Sequence, residues 1–228
     1  MTMADPKRVD GVLRRILLRR NLDPDRLAEM HPEPQDRLLA LELAAARIPA
    51  LYQDALADHP QVVAWVDEVK RAARRGPAGQ PGIAQATSLM LVGPTGTGKT
   101  YQAYGAIRLL LAEGVRLRWR AITSPDLHAL MRPRPNFDAE KEFRELADTP
   151  LLLLDELGAG KSSEFTEDLT WRLINHRYVH RLPTLVTSNL ATSDLRGAVG
   201  DRVASRLREM SRRVLLAGED RRRPPTAA

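Results

Sequence analysis

The sequence predicts an α/β fold built on a parallel sheet, and two patterns support this prediction. Over residues 88–217, short runs with strand character alternate with longer segments of helical periodicity, as in proteins whose parallel strands are joined by helices. The runs at 88–92, 151–154 and 185–187 are apolar at nearly every position, which is typical of central strands buried on both faces. The run at 115–122 alternates apolar and arginine residues, which predicts an edge strand.

The helices follow from local signals along the chain. A helix is predicted from Lys99 to Glu113, because Gly114 follows and glycine is common just after helix ends. The other predicted helices cover 60–75, 164–180 and 199–210, and a last strand covers 214–217. Together these elements predict a five-stranded parallel sheet between helices.

The first 46 residues differ from the rest of the chain. They contain three short segments of helical character, separated by breaks at 21–24 and 31–34 that both contain proline. Segments this short bury too little surface for a robust core of their own. We predict a small helical region at 1–46, which is either a partner-binding module or an appendage of the following domain.

Composition limits the classes of function. The 228 residues carry a formal charge of +6, a basic balance that suits nucleic acid or another polyanion; a solvated arginine-rich surface without a ligand is the alternative. The chain has no cysteine, which excludes disulfides and cysteine-based zinc sites. It shows neither a signal-peptide pattern nor an apolar run of membrane-spanning length, so we expect a cytoplasmic protein.

Residues 93–100 form the clearest motif. They read Gly-Pro-Thr-Gly-Thr-Gly-Lys-Thr, which matches the full phosphate-loop pattern between a predicted strand and a predicted helix. The backbone amides and the helix N-terminus supply positive potential, Lys99 is expected to reach the β- and γ-phosphates, and Thr100 to bind Mg²⁺. The predicted ATP-binding residues are Gly93, Pro94, Thr95, Gly96, Thr97, Gly98, Lys99, Thr100 and Tyr101.

Two acidic residues follow the strand at 151–154. Parallel strands present their carboxyl ends at one edge of the sheet, so Asp155 and Glu156 are expected beside the phosphate loop. We predict that Asp155 holds Mg²⁺ through water and that Glu156 polarises the attacking water. This arrangement predicts an ATPase.

Three further residues complete the predicted catalytic set. Asn189 follows the strand at 185–187 and is expected to reach the γ-phosphate or the water. Arg202 and Arg206 lie four residues apart on one helix face, and such a cation is often supplied by a neighbouring subunit. We rank Arg206 first and Arg202 second for this role, with a solvated basic helix face as the alternative.

Several segments resemble the DnaC/IstB-type AAA+ ATPases, from about residue 47 to residue 221. They are Arg47-Ile48-Pro49 with Tyr52, Leu173–Tyr178, Leu182–Leu190, Gly200–Leu207 and Gly218–Arg221. The resemblance implies an additional-strand AAA+ sheet, in which the strand before Asn189 lies between the two strands that carry the phosphate loop and the acids. It also implies that Asn189 is the sensor residue.

The resemblance further implies a replicative helicase loader. Such a protein docks on a DnaB-type hexameric helicase, assists its placement on single-stranded DNA, and acts as a homo-oligomer on its partner. The chain would then divide into a partner-binding region at 1–46, an ATPase domain at 47–220 and a basic tail at 221–228. The chain ends soon after the last strand, without a full helical lid, which implies ATPase activity that is weak alone and completed in the oligomer.

Two other functions stay open. An IstB-type transposition helper would bind duplex DNA and a transposase, and an ATP-switched adaptor would show little turnover. The basic and aromatic segment 131–137 is a candidate for single-stranded DNA by charge and stacking, with an exposed loop as the alternative.

Overall fold

The computed structural model describes residues 41–75, 81–82, 85–115, 117–160, 162–218 and 220. Most of the predicted partner-binding region and the basic tail at 221–228 lie outside these residues. Within them, no helix combines the length and the apolar character that crossing a bilayer requires.

The centre of the fold is the parallel five-stranded sheet that the sequence predicts. Its spatial order is β2-β3-β4-β1-β5, and every neighbouring pair is parallel. Strand β4 lies between β1 and β3, as expected for an additional-strand sheet, and β2 lies at an edge. The strands are β1 (Ser88–Val92), β2 (Trp119–Thr123), β3 (Leu151–Asp155), β4 (Thr184–Ser188) and β5 (Ser211–Leu215). Arg74–Arg75 and Pro81–Gly82 form a separate two-residue antiparallel ladder.

Helices cover both faces of the sheet. They are α1 (Pro60–Ala72), α2 (Lys99–Ala112), α3 (Ser124–Leu130), α4 (Ala139–Ala147), α5 (Glu164–Val179), α6 (Thr192–Val199) and α7 (Asp201–Met210), with a 3₁₀ turn at Ala50–Tyr52. Two of the starts have clear local causes. Pro60 occupies the first turn of α1, where its missing N–H costs nothing, and Ser163 and Thr166 form a reciprocal capping box at α5.

The structure corrects four predicted boundaries. The helix predicted at 60–75 ends at Ala72, and the strand predicted at 115–122 begins only at Trp119. The helix predicted at 199–210 is α7, which begins at Asp201 because Gly200 before it adopts a φ of +80°. The last strand begins at Ser211 rather than at 214, since adjacent arginines hide the start of β5. Helices α3, α4 and α6 were not predicted.

Alternate residues of each strand enter two separate cores. Leu89 and Leu91 face a core shared with α1, α2 and the residues before them, whereas Met90 and Val92 face a core shared with α3 to α7. Leu41 and Ala44 are buried in the first core, so this end of the predicted partner-binding region packs into the core shared by the sheet, α1 and α2. The division of the chain at residues 46 and 220 stays a prediction.

A fully buried arginine joins the starts of β3 and β4. The Arg177 guanidinium donates to the carbonyl oxygens of Ala147, Thr149 and Pro183 at 2.7–2.9 Å, and to Thr184 Oγ1 at 2.7 Å. Burial lowers the pKa of Arg177 to about 9, which leaves the group protonated at neutral pH. These bonds hold the starts of β3 and β4 together at the edge of the sheet opposite the carboxyl ends of the strands.

Candidate functional site

The phosphate loop is shaped by the chain that crosses it after β5. Leu216 N–H donates to Val92 O at 2.8 Å, which places Leu216 beside the loop, and Asp220 also lies against the loop. A Cβ on Gly93 would overlap the Leu216 carbonyl oxygen, and one on Gly96 would overlap the Asp220 carboxylate. Gly96 also has a φ of +83°, so its lack of a side chain is required twice over.

Lys99 lies inside this loop at the start of α2. It is buried, and Nζ donates to Gly93 O at 2.8 Å and to Pro94 O at 2.6 Å. Gly98 precedes it in the left-handed region with a φ of +88°, which turns the chain from the loop into the helix. The ammonium group and the positive end of the α2 dipole therefore lie on the same anion-binding side of the loop.

The two predicted acids lie beside the loop and are joined by a threonine. Asp155 Oδ1 accepts hydrogen bonds from Thr100 Oγ1, at 3.1 Å, and from Thr187 Oγ1. Thr187 Oγ1 in turn accepts from the Glu156 N–H at 3.0 Å. Glu156 has a φ of +56°, a costly conformation for a residue with a side chain, and such strain concentrates at functional sites.

The carboxyl end of β4 is bonded to both motifs. Gly93 N–H donates to Ser188 O at 3.3 Å, Leu157 N–H to Thr187 O at 2.8 Å, and Ser188 Oγ to Leu157 O at 2.8 Å. Sequence reasoning selected only Asn189 from this strand end and missed Thr187. The signal was available, because two hydroxyl residues in succession follow the apolar Leu185 and Val186 at the end of a central strand.

A cleft of about 600 Å³ collects most of the predicted site. Its lining residues are Leu51, Tyr52, Asp58, Thr95, Gly96, Gly98, Lys99, Thr100, Tyr101, Glu156, Thr187 and Asn189. A larger groove of about 970 Å³ runs along the β2 edge but contains none of the phosphate-loop or acidic residues. Chemistry rather than volume therefore identifies the site.

The end of the cleft away from the acids comes from the segment before α1. Tyr101 Oη donates to Asp54 O at 2.8 Å, and Gln102 Oε1 accepts from the N–H groups of Asp58 and His59, both at 3.2 Å. These bonds hold residues 51–58 against α2, so that Leu51, Tyr52 and Asp58 face the cleft. Tyr52 belongs to the family resemblance, but it was not predicted to line the site.

Arg202 and Arg206 lie apart from this cleft. The Arg202 guanidinium lies 4.9 Å from the centre of the Trp171 ring, and that of Arg206 lies 4.3 Å from the centre of the Tyr178 ring. Arg206 Nη1 also pairs with Glu209 Oε2 at 3.4 Å. The structure thus brings together Lys99, Thr100, the two acids and Asn189, while both arginines occupy the surface where α7 packs on α5.

The parallel sheet with its central additional strand and the phosphate loop define a P-loop AAA+ protein. Residues 36–215 match the model of a family described as IstB-like ATP binding protein. The chain therefore belongs to this ATP-binding family, as the resemblance predicted.

Known relatives come from two groups. Over 135 residues the chain is 27% identical to an insertion sequence IS21 ATP-binding protein of Pseudomonas aeruginosa, covering 59% of this chain and 50% of the relative. Over 124 residues it is 25% identical to the replicative helicase loader DnaC of Escherichia coli, covering 53% of this chain and 50% of that protein. The chain spans about half the length of these curated relatives.

Solved structures support the fold. The crystal structure of DnaI superposes with a TM-score of 0.59 at 18% sequence identity, covering 80% of this chain and 92% of that one. At this identity the likeness concerns the fold alone.

Proposed function

We propose that this protein is a Mg²⁺-dependent ATPase that serves as the nucleotide switch of a replicative helicase loader. The observation that carries the ATPase part is the chain of hydrogen bonds from Thr100 through Asp155 and Thr187 to Glu156, beside the phosphate loop. A structural strand end would not need two acids, two hydroxyl groups and a buried lysine around one cleft.

The donor set fits a magnesium ion. Mg²⁺ prefers oxygen ligands and is usually held by one or two protein groups together with water and substrate phosphates. Thr100 Oγ1 and Asp155 Oδ1, two such oxygen ligands, are 3.1 Å apart. In our proposal Thr100 binds the ion directly, Asp155 holds it through water, and the ion neutralises charge on the phosphates.

The remaining residues act on the phosphates and on the water. Lys99 and the loop amides bind the β- and γ-phosphates, Glu156 accepts a proton from the attacking water, and Asn189 orients the γ-phosphate or that water. Arg206, with Arg202 as second candidate, enters from the next subunit of an oligomer. Activity in the isolated chain is therefore weak.

The loader function is supported by the similarity to DnaC and by the basic balance of the chain. In this proposal residues 1–46 contact a DnaB-type helicase, the ATPase domain forms a homo-oligomer on it, and single-stranded DNA is the nucleic-acid partner. ATP binding and hydrolysis then report to the helicase when it can be released onto DNA.

The second candidate is a transposition helper, favoured by the family model and by the Pseudomonas aeruginosa relative. Capture of partners by the tagged full chain, with a non-hydrolysable ATP analogue and mass spectrometry, separates the two. Recovery of a DnaB-type helicase supports the loader, and recovery of a transposase supports the helper. Capture should be lost in Lys99→Ala but not in Lys141→Ala, which removes an exposed lysine outside the cleft.

An adaptor without turnover is tested separately. If ATP is only a conformational ligand, the Glu156→Gln variant should release its partner as the wild type does. If release needs ATP hydrolysis, the Glu156→Gln variant should stay bound to its partner after ATP is added.

A further inference from the structure

A second cavity lies between strand β5 and helices α6 and α7. Its volume is about 310 Å³, and it shares no lining residue with the nucleotide cleft. Apolar side chains, including Leu195 and Leu207, form part of its wall, and Arg196, Arg208, Ser211 and Arg213 supply the polar part. Ser211 and Arg213 belong to the same face of β5, whereas Arg212 points to the other face and pairs with Glu68 of α1.

The charge of this cavity is of one sign. Three arginines line it, and no carboxylate does. Arg196 is paired with Asp201 at 2.8 Å, outside the lining set. Arg208 is exposed, and it makes no hydrogen bond or ion pair with any residue that the structure describes. Arg208 therefore supplies a positive charge at this cavity that a bound anion would neutralise.

A hydroxyl group in the same wall lacks a partner. Ser211 Oγ is buried and forms no hydrogen bond within the described part of the chain. A buried polar atom without a partner is destabilising, so such atoms are usually satisfied by protein, water or ligand. A ligand with oxygen acceptors would accept hydrogen bonds from the Ser211 hydroxyl and from at least one arginine.

We propose that this cavity binds the phosphate backbone of single-stranded nucleic acid. The planar guanidinium fork matches phosphate oxygens in a bidentate way, and the apolar wall suits a sugar or the face of a base. The net charge of +6 favours nucleic acid over a basic or neutral partner. The inference rests on the proposed function, because single-stranded DNA is a partner there, and it assigns that partner a site away from ATP.

The test measures fluorescence anisotropy of a labelled oligo(dT) with the full chain over a series of salt concentrations. Arg208→Ala should weaken binding about three- to tenfold at low salt and lower the log–log salt slope by about 0.7, the value for one phosphate contact on a single strand. Arg208→Lys should retain most of the salt slope but should bind the oligonucleotide more weakly than the wild type. Lysine keeps the positive charge but lacks the guanidinium group that can bind two phosphate oxygens.

The matched control is Arg118→Ala, which removes one exposed arginine beside the opposite edge strand. It should bind the oligonucleotide as the wild type does. ATP binding should be unchanged in all three variants, because none of these residues lines the nucleotide cleft. Unchanged ATP binding also shows that the variants are folded.

The failures are distinguishable. If the wild type does not bind oligo(dT), single-stranded DNA is removed from the proposed function and this site with it. If the wild type binds and Arg208→Ala equals Arg118→Ala, only the site is wrong. If a labelled polyglutamate peptide binds in an Arg208-dependent way while the oligonucleotide does not, the cavity is a docking site for an acidic peptide and the nucleic-acid assignment is overturned.

Discussion

The carboxyl end of strand β4 and the outer face of helix α7 carry the two halves of the proposed ATPase site in different ways. At β4, the Thr187 hydroxyl group bonds to both acidic residues. Ser188 bonds to the phosphate loop and to Leu157, the residue after the two acids. On α7, Arg202 and Arg206 rest on aromatic rings of α5 and line no part of the cleft. One half is fixed within the chain, and the other faces outwards.

The energies of these contacts support the same distinction. Arg206 is held by a partly exposed ring contact and by an ion pair whose side chains are 34% and 46% exposed. Contacts of each kind contribute little at an exposed surface, where solvent and salt screen the charges. An arginine held this weakly can leave Tyr178 and Glu209 to contact a nucleotide bound by a neighbouring subunit. Thr187 and Ser188 of β4, in contrast, cannot move without breaking hydrogen bonds inside the protein.

The largest expected effect is that of Arg206→Ala on the assembled protein. An arginine supplied in trans accounts for about 10³–10⁵ in rate in other phosphoryl-transfer sites, so we expect ATP turnover in the oligomer to fall by at least about 10³-fold. ATP binding to the isolated chain should not change, which a fluorescent ATP analogue measures. A loss of binding equal to the loss of turnover would show that Arg206 supports the fold and not the reaction.

Glu156→Gln is expected to lower the turnover rate by about 10²–10⁴-fold, the usual contribution of a general base, while ATP still binds. Single-turnover hydrolysis measures the chemical step directly. Glu145→Gln makes the same chemical change at an exposed position outside the cleft and should be neutral. Equal rates in the two variants would remove Glu156 from the mechanism.

Thr187→Val should act through the acids and not on the nucleotide. Groups that orient metal ligands typically contribute 10–100-fold to metal affinity, so the Mg²⁺ concentration for half-maximal activity should rise about tenfold. Thr187→Ser keeps the hydroxyl group and should restore most of the Mg²⁺ affinity. If both variants need the same Mg²⁺ as the wild type, Thr187 has only a packing role.

The smallest expected effect is that of Asp220→Asn. The Asp220 carboxylate lies against Gly96 in the phosphate loop, where it opposes a bound triphosphate. Unit charges about 4 Å apart in water interact by about 1 kcal/mol, so removing this one should tighten ATP binding about two- to fivefold, and ADP binding less. Asp168→Asn removes one negative charge at an exposed position of α5 and should leave the affinities for ATP and ADP unchanged. Weaker ATP binding would mean that Asp220 supports the loop.

The sheet and the phosphate-binding half of the site could be predicted because each depends on local sequence. Continuous apolar runs identify β1, β3 and β4. Lys99, Asp155 and Asn189 each lie at or shortly after the carboxyl end of one of these strands. The family resemblance added the position of β4 between the other two. These features need no knowledge of distant contacts.

The missed features depend on contacts between distant residues. Thr187 differs from any strand threonine only because Asp155 and Glu156 lie beside it. Arg212 was predicted to precede the last strand. It belongs to β5 instead, and its side chain pairs with Glu68 of α1 at 2.6 Å. Helix α6 was not predicted, and Gly200 separates it from α7 through a single positive φ.

Mixing two inactive variants tests most directly whether the site is shared between subunits. In a 1:1 mixture of Glu156→Gln and Arg206→Ala, about a quarter of the interfaces in a randomly assembled oligomer combine an intact acid with an intact arginine. We expect ATP turnover to recover to about a quarter of the wild-type rate under conditions of assembly. A mixture that stays as inactive as its two components would contradict the account.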